Sequence, residues 1–277
     1  MREDEPGDQP EDQPEDGPED GPGDQPGRGD GLHRRLERRL DRLEGRLDAE
    51  ARSAQARMVP AWRRATRGEQ RWPASLAVAV AVALQVAVPG RLTLSTSWLL
   101  PAVEAALLVA VFVANPTRIT APSRALRLAS LGIIAVASLA NAWSAAQLVR
   151  GLVQGTEGSE PAPLLTTGAL IWLTNVIVFG LWYWELDRGG PGARAEGLRA
   201  DRPDFLFPQM ATPGIAPAEW EPGFADYLYV SFTNAMAFSP TDTMPLSRWT
   251  KLTMLTQSLV SLATVALVIA RAVNILR

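Results

Sequence analysis

The sequence contains no cysteine and only one histidine, His33, which lies in its polar N-terminal region. Without cysteine, the chain has no disulfide, no thiolate metal ligand and no thiol nucleophile. With its single histidine outside the apolar regions, it has no histidine-based metal site or catalytic dyad there. Nucleotide-binding glycine loops, serine-hydrolase elbows and zinc-protease motifs are also missing. We therefore expect no enzyme, no cofactor and no metal site.

Lysine is almost absent, since Lys251 is the only lysine among 27 basic residues. A GC-rich coding bias produces such a preference for arginine, which favours a bacterial source. The N-terminus is acidic and lacks the pattern of a basic residue followed by an apolar run that marks a signal peptide. The net charge of -3 and the mean hydropathy of -0.01 are averages over an acidic tail and an apolar body.

Residues 1–31 repeat a theme of acid, glutamine or glycine, and proline. Such a segment has almost no apolar side chain to bury, so burial cannot offset the conformational entropy that folding removes. We expect a disordered acidic tail, which either keeps the protein soluble or docks on a partner.

Residues 32–71 begin with a charged segment and end in a basic, tryptophan-bearing approach to the apolar part of the chain. Within 32–57, leucines recur at spacings of four, three and four, which predicts an amphipathic helix. One interpretation is a short coiled coil that assembles an oligomer or binds a cytoplasmic protein. The alternatives are an amphipathic helix lying on anionic lipid headgroups and a solvated charged helix. The leucines are Leu36, Leu40, Leu43 and Leu47.

Residues 72–184 contain four long apolar segments, which predict a four-helix membrane anchor. A helix needs about 20 apolar residues to span a bilayer, with a lower limit of about 17. The first segment is shorter than this limit, so an alternative is that the first two form a short hairpin. The segments are 74–89, 98–114, 126–149 and 164–184.

Arginines on the connecting segments predict the orientation. They precede the first apolar segment, separate the second from the third, and follow the fourth, whereas the other two connections carry few. Because cytoplasmic loops are enriched in Lys and Arg, this pattern places the N-terminus and residues 185–225 in the cytoplasm. We expect a multi-pass protein of the bacterial inner membrane.

Residues 185–225 form a long connection rich in proline and glycine, with aromatic residues that could lie on the membrane or pack beneath the bundle. Loops of this length are functional or disordered, and the aromatics favour a partly ordered, functional loop. Residues 226–277 then predict a short helix at 226–238 and a last spanning helix at 252–275. The predicted fold is an all-α, polytopic membrane helix bundle with about five transmembrane helices and one short re-entrant helix.

Polar residues inside the apolar segments are candidates for function. Glu104 is the carboxylate well inside a predicted span, and an ionisable group there marks a functional site unless it reaches interfacial water. Asn175 lies in the fourth span, where amides more often join helices by hydrogen bonds. A further hypothesis is a small transporter that uses Glu104, although no inverted repeat supports it.

The segment from Tyr229 onwards resembles the pore helix, filter and inner helix of two-helix potassium-channel domains. Tyr229, Ser231 and Phe232 are similar to the approach of the pore helix, and Asp242 and Pro245 match the Asp and Pro that follow the filter. The resemblance implies a pore-like hairpin within an oligomer.

The filter positions depart from that family. Ser239 and Thr241 stand where it has glycines, and Pro240 stands where it has tyrosine. A potassium filter needs glycines because its carbonyls must all point inward, and a proline fixes φ and removes an amide donor. Potassium selectivity is therefore not implied, and Pro240 and Pro245 are structural turn residues.

A second resemblance covers more of the chain. Four spans, a DFLFP-like element, the motif Asp-Tyr-Leu-Tyr-x-Ser-Phe-Thr, a filter-like turn and a last helix resemble a family of uncharacterised bacterial integral membrane proteins. This likeness implies no particular activity.

Our functional hypothesis is an ion-channel-like pore without a potassium filter, which would pass ions as a homo-oligomer. The residues expected to line its constriction are Thr233, Asn234, Ser239, Thr241 and Asp242. The alternative is a non-conducting scaffold or regulatory subunit that recruits a cytoplasmic partner through residues 32–57. We expect the lipid bilayer, but no nucleic acid, as a further partner.

The predicted topology disagrees with the channel likeness. With four complete spans after a cytoplasmic N-terminus, the short helix at 226–238 enters from the cytoplasm, whereas a channel pore loop enters from outside. A different number of spans in the first pair would reverse this conclusion.

Overall fold

The fold was analysed in a computed structural model, which describes residues 59–93, 102–106, 109, 118–119, 123–156, 160–212, 214–237 and 242–276, together with Arg39, Leu43 and Arg46. The chain divides into two units, Met1–Gln55 and Ala56–Arg277. In the first unit, the three described residues are helical and exposed. The acidic tail and most of the proposed coiled coil lie outside the described residues.

The described residues of the second unit are mainly helical. The helices are α1 (Trp72–Ala87), α2 (Arg124–Gln154), α3 (Pro161–Leu186), α4 (Pro191–Ala195), α5 (Pro208–Ala211), α6 (Phe224–Ala237) and α7 (Arg248–Leu276). Three-residue 3-10 turns occupy Ala61–Arg63, Gly90–Leu92 and Asp187–Gly189.

Four two-residue strands form two small antiparallel pairs. The strand β1 (Glu69–Gln70) pairs with β2 (Arg118–Ile119), and Glu69 lies opposite Ile119. The strand β3 (Phe205–Leu206) pairs with β4 (Met244–Pro245), and Phe205 lies opposite Pro245. These pairs tie distant segments of the chain together at one end of the bundle.

Among the residues that the structure describes, three helices are long and apolar enough to cross a membrane: Arg124–Gln154, Pro161–Gly189 and Arg248–Ile275. They correspond to the predicted third, fourth and last spans. The helix α1 is apolar but has only 16 residues, and the predicted span at 98–114 lies mostly outside the described residues. The described part of the chain is therefore mainly helical, and three of its helices could cross a membrane by their length and composition.

Local sequence explains where the long helices begin and end. The hydroxyl of Ser123 accepts a hydrogen bond from the amide of Leu126 and caps the start of α2. Gly155 ends that helix with φ of 68°, a left-handed conformation that glycine adopts without penalty. Pro161 opens α3, where its missing N–H costs nothing.

The helix α3 lies at the centre of the bundle, in contact with α1, α2, α6 and α7. Its candidate span is the most buried of the three. One apolar core joins α1, α2, α3 and α6 with the aromatic residues of the 185–225 connection, including Phe205 and Phe207. Those aromatics therefore pack beneath the bundle.

The helices α6 and α7 both run antiparallel to α3 and begin near its C-terminal end. Tyr227, in the first turn of α6, donates a hydrogen bond to Asp187 just after α3. Further along, the Phe232 ring contacts the Trp172 ring edge-on near the middle of α3. At Leu246 the chain has returned to the C-terminal end of α3, where the Leu246 amide donates a hydrogen bond to the carbonyl of Asp204. After α6, the chain therefore returns to the end of the bundle at which α6 begins.

Candidate functional site

The helices α3, α6 and α7 meet at a group of buried polar side chains, which we call the polar junction: Tyr183, Ser231, Asn234 and Gln257. The Oε1 of Gln257 accepts hydrogen bonds from the Tyr183 hydroxyl and, at 2.8 Å, from Asn234 Nδ2. The Nε2 of Gln257 donates to Ser231 Oγ at 2.7 Å and to the Ser231 carbonyl at 2.9 Å. One glutamine therefore connects all three helices.

Further bonds occupy the remaining donors of these amides and hydroxyls. Asn234 Nδ2 also donates to the Met254 carbonyl at 3.0 Å, and Ser231 Oγ donates to the Val176 carbonyl at 2.6 Å. Asn175 Nδ2 donates to the Gln257 carbonyl at 3.4 Å. Asn175 and Asn234, both singled out from the sequence, thus join helices by hydrogen bonds, as amides in membrane bundles commonly do.

The other predicted constriction residues lie elsewhere. Thr233 bonds its own helix, with Oγ1 donating at 3.0 Å to the carbonyl of Tyr229 or Val230. Asp242 is exposed and Pro245 belongs to β4. The residues Ser239, Pro240 and Thr241 lie outside the described residues.

Glu104 is completely buried, at 0% exposure. Both of its carboxylate oxygens lack a hydrogen-bond partner among the described residues. The helical turn around it, residues 102–106, is described without most of its neighbours along the chain.

A second polar group, which we call the ion cluster, lies where α3 ends: Glu69, Asp187, Arg188, Arg194 and Tyr227. Asp187 Oδ2 accepts from the Tyr227 hydroxyl at 2.6 Å and from Arg188 Nε at 3.1 Å. Asp187 Oδ1 accepts from the amides of Asp204 and Phe205, at 2.9 and 3.2 Å. Each oxygen of the Asp187 carboxylate therefore accepts two hydrogen bonds.

Arg194 forms the other half of the ion cluster. Its Nη2 lies 2.8 Å from Glu69 Oε1, and its Nη1 donates to the carbonyls of Trp184 and Asp187 at 2.6 and 3.1 Å. Burial alone would lower the pKa of Arg194, but the facing Tyr227, Glu69 and Asp187 raise it above the ordinary value. This arginine therefore stays charged in spite of its burial.

Arg188 completes the ion cluster with a strained backbone. Its φ of 53° is unusual for a residue with a side chain. The conformation aims Nη1 at the carbonyl of Trp62, 2.7 Å away, and the amide at Asp204 Oδ2, 2.9 Å away. The side chain thereby holds the segment before α1 against the end of α3.

Sequence reasoning missed the ion cluster. Arg188 and Arg194 were read only as loop charges that mark the cytoplasmic side, but they are 1% and 5% exposed. Loop arginines usually face water because burying a charge is costly unless it is paired and hydrogen-bonded. The partner Glu69 lies 125 residues before Arg194, so spacing along the chain held no signal of the pair.

Neither of the two polar groups resembles a metal centre. Among the described residues, no three or more His, Asp or Glu side chains come close enough to hold a metal ion. The polar junction is uncharged and the ion cluster is internally compensated. Both are arrangements that hold helices in register.

Comparison with known proteins adds no relative: no protein-family model, curated protein or solved structure matches this chain. The likenesses to potassium-channel domains and to uncharacterised bacterial membrane proteins therefore stay predictions from the sequence.

Proposed function

We propose that residues 161–276 form a re-entrant, pore-like module that passes ions as a homo-oligomer. In this module α3 is the outer helix, α6 the re-entrant helix and α7 the inner helix. The observation that carries the proposal is the return of the chain, since α6 and α7 both begin at the C-terminal end of α3.

The length of α6 supports a re-entrant path. Its 14 residues span about 21 Å at 1.5 Å per residue, whereas the hydrocarbon core is about 30 Å thick. A helix this short ends inside the bilayer, where its exposed backbone must be buried in protein or line a water-filled cavity. The polar turn after α6 suits the second arrangement.

The constriction is assigned to the turn and not to the body of α6. Asn234 is bonded within the polar junction and Thr233 to its own helix, so we assign the lining to the residues of the predicted filter-like turn, Ser239, Thr241 and Asp242. A ring of Asp242 carboxylates in an oligomer would attract cations.

The oligomer would form through an apolar surface on α6 and α7. Large side chains on these helices remain exposed in the single chain, and a membrane helix surface of this kind packs either on lipid or on another copy. They are Tyr229, Phe232, Met236, Leu252, Leu255, Leu259 and Leu262.

The mouth of this module opens on the arginine-rich side. The starts of α1, α2, α6 and α7 and the end of α3 lie at one end of the bundle, which the positive-inside rule assigns to the cytoplasm. The segment 98–114 then completes five spans, and the C-terminus lies outside. Because potassium-channel pore loops enter from outside, we propose a pore shape and not a potassium channel.

Recording from the purified full-length protein in planar bilayers tests the proposal. We expect cation conductance that Asp242→Asn reduces several-fold, because the ring of carboxylates concentrates cations at the mouth. The matched control is Asp201→Asn, an exposed carboxylate in the connection at the same end of the bundle, which should leave the current unchanged. A silent wild-type protein would reject the pore.

A second candidate function is a non-conducting scaffold. It is favoured by the polar junction, in which Ser231, Asn234 and Gln257 satisfy one another within a single chain. In this case residues 32–57 recruit a cytoplasmic protein. Crosslinking in native membranes separates the two functions, because a discrete heteromeric product indicates the scaffold and a product of identical subunits indicates the pore.

A further inference from the structure

Two arginines from different segments converge on the backbone of Gly189, just after α3. Gly189 has φ of 90° and no side chain. A Cβ placed on it would lie 3.9 Å from Arg199 Nη1 and 4.0 Å from Arg127 Nη1. Arg127 lies near the start of α2, and Arg199 lies in the connection after α4. Both arginines are exposed, so the point at which they meet is open to the surroundings of the bundle.

Neither guanidinium group has a partner at this point. Within the part of the chain that the structure describes, the side chains of Arg127 and Arg199 form no hydrogen bond and no close ion pair. Arg202, in the same connection as Arg199, differs because its Nε lies 3.4 Å from Asp201 Oδ2. Two cations that meet without an anion between them repel each other. The arrangement therefore favours a bound anion.

The nearest carboxylate does not supply the missing negative charge. Glu185 attracts Arg127, but it also faces Arg71 and Arg194. Arg194 has its own partner in the ion cluster, which still leaves one carboxylate to balance two arginines. Arg199 adds a further positive charge on the exposed side. This corner of the bundle consequently holds more positive than negative charge.

We propose that Arg127 and Arg199 bind one phosphate group over the backbone of Gly189. Guanidinium groups match phosphate oxygens in charge and geometry, and each can donate two parallel hydrogen bonds. The glycine keeps the place open, since any side chain at position 189 would occupy the space next to both guanidinium groups. The site uses exposed side chains and the protein surface, so the ligand need not enter the interior of the bundle.

The phosphate group can belong to a lipid headgroup or to a dissolved phosphate compound. The site lies at the C-terminal end of α3, a helix long enough to cross a membrane, so lipid headgroups are within reach. Phosphatidylglycerol and inorganic phosphate are the probes for the two sources. The one that the full-length protein binds more tightly identifies the source.

Binding measurements on the purified full-length protein in detergent test the site. Native mass spectrometry measures phosphatidylglycerol, and titration calorimetry measures inorganic phosphate. Arg127→Gln and Arg199→Gln should each weaken the tighter-bound probe about tenfold, the ratio that corresponds to one charge-assisted hydrogen bond. Both substitutions change exposed side chains that make no contact of their own within the fold, so the variants should fold as the wild-type protein does.

Arg202→Gln is the matched control, since it removes an exposed arginine of the same connection that is paired with Asp201. It should leave binding unchanged. An equal loss in Arg202→Gln would overturn the proposal, because the arginines would then act only as general surface charge. Binding that neither Arg127→Gln nor Arg199→Gln weakens would overturn it too, as would a wild-type protein that binds neither probe. A protein that is silent in planar bilayers leaves these results untouched, because the phosphate site does not depend on a pore.

Discussion

The polar junction and the ion cluster fasten the same helices in different ways. The polar junction lies within the three-helix contact and uses only uncharged amides and hydroxyls. The ion cluster lies beyond the C-terminal end of α3 and uses two arginines against two carboxylates. Of these two groups, only the ion cluster contains charged side chains.

The difference follows from the cost of desolvation. An unpaired charge inside hydrocarbon costs several kcal/mol more than an unpaired amide. The loss of one partner from an ion pair within the bilayer would therefore be strongly destabilising. At the end of the bundle the same charges are cheaper to bury, and their geometry fixes which segments meet. A buried charge left without its partner still costs more than a buried amide left unpaired, so damage to the ion cluster should cost more than damage to the polar junction.

The substitution Arg194→Met should have the largest effect on stability. It leaves Glu69 Oε1 and the carbonyls of Trp184 and Asp187 without their donor, and breaking a buried ion pair typically costs about 3–5 kcal/mol. Unfolding in mixed detergent micelles measures the loss. The double variant Glu69→Gln/Arg194→Met should recover part of it, and a double variant as unstable as the single one would contradict the pairing.

The next effect is expected from Gly180→Ala, which tests the close contact of α3 with α6 next to the polar junction. A Cβ at Gly180 would lie 3.2 Å from the backbone Cα of Leu228, and backbone cannot move aside as a side chain can. Overpacking of this kind costs about 1–3 kcal/mol. The control Gly132→Ala meets no atom within 4 Å, so it should be neutral or stabilise α2 slightly.

The substitution Gln257→Leu should cost about 1–2 kcal/mol, since hydrogen bonds between membrane helices are worth about 0.6 kcal/mol on average and at most about 1.7. It removes the acceptor of Tyr183 and Asn234 and the donor to Ser231 together. Thr256→Val is the matched control, because that hydroxyl bonds only its own helix. A loss in the micelle assay as large as that of Arg194→Met would refute the contrast between the two groups.

The sequence predicted the helices better than it predicted what joins them. The helix α2 was expected at 126–149 and lies at Arg124–Gln154, and the last helix was expected at 252–275 and lies at Arg248–Leu276. Long apolar runs determine such elements locally. The sequence does not identify Gln257 as the residue that connects three helices, because its partners are 23 to 74 residues away.

The burial of the two arginines after α3 is a second feature that the sequence did not predict. The positive-inside rule assigned these arginines to one side of the membrane. It does not predict that they contact Glu69, Trp62 and Asp187 in the folded protein. Only the return of the 185–225 connection, with Phe205 and Phe207 packed under the helices, creates a place where these charges can be buried. Their burial is a property of the tertiary fold.

The smallest effect is expected from Glu221→Gln, at the edge of the ion cluster. Burial raises the pKa of Glu221, with a hydrogen bond to Thr66 opposing the shift. The folded protein therefore holds this proton more tightly than the unfolded chain, so its contribution to stability is complete below the unfolded pKa of about 4.3. That contribution falls as the pH rises through the higher folded pKa.

Glu221→Gln should remove this decline and raise the stability measured in micelles at neutral pH relative to acid pH. The exposed Glu219→Gln is the control and should leave the pH profile as it is in the wild-type protein. The nearby charges of Glu69, Arg194 and Arg188 act on Glu221 with opposite signs, so the profile also reports whether the ion cluster is compensated. If Glu221→Gln kept the wild-type decline, the assignment of that decline to Glu221 would be wrong.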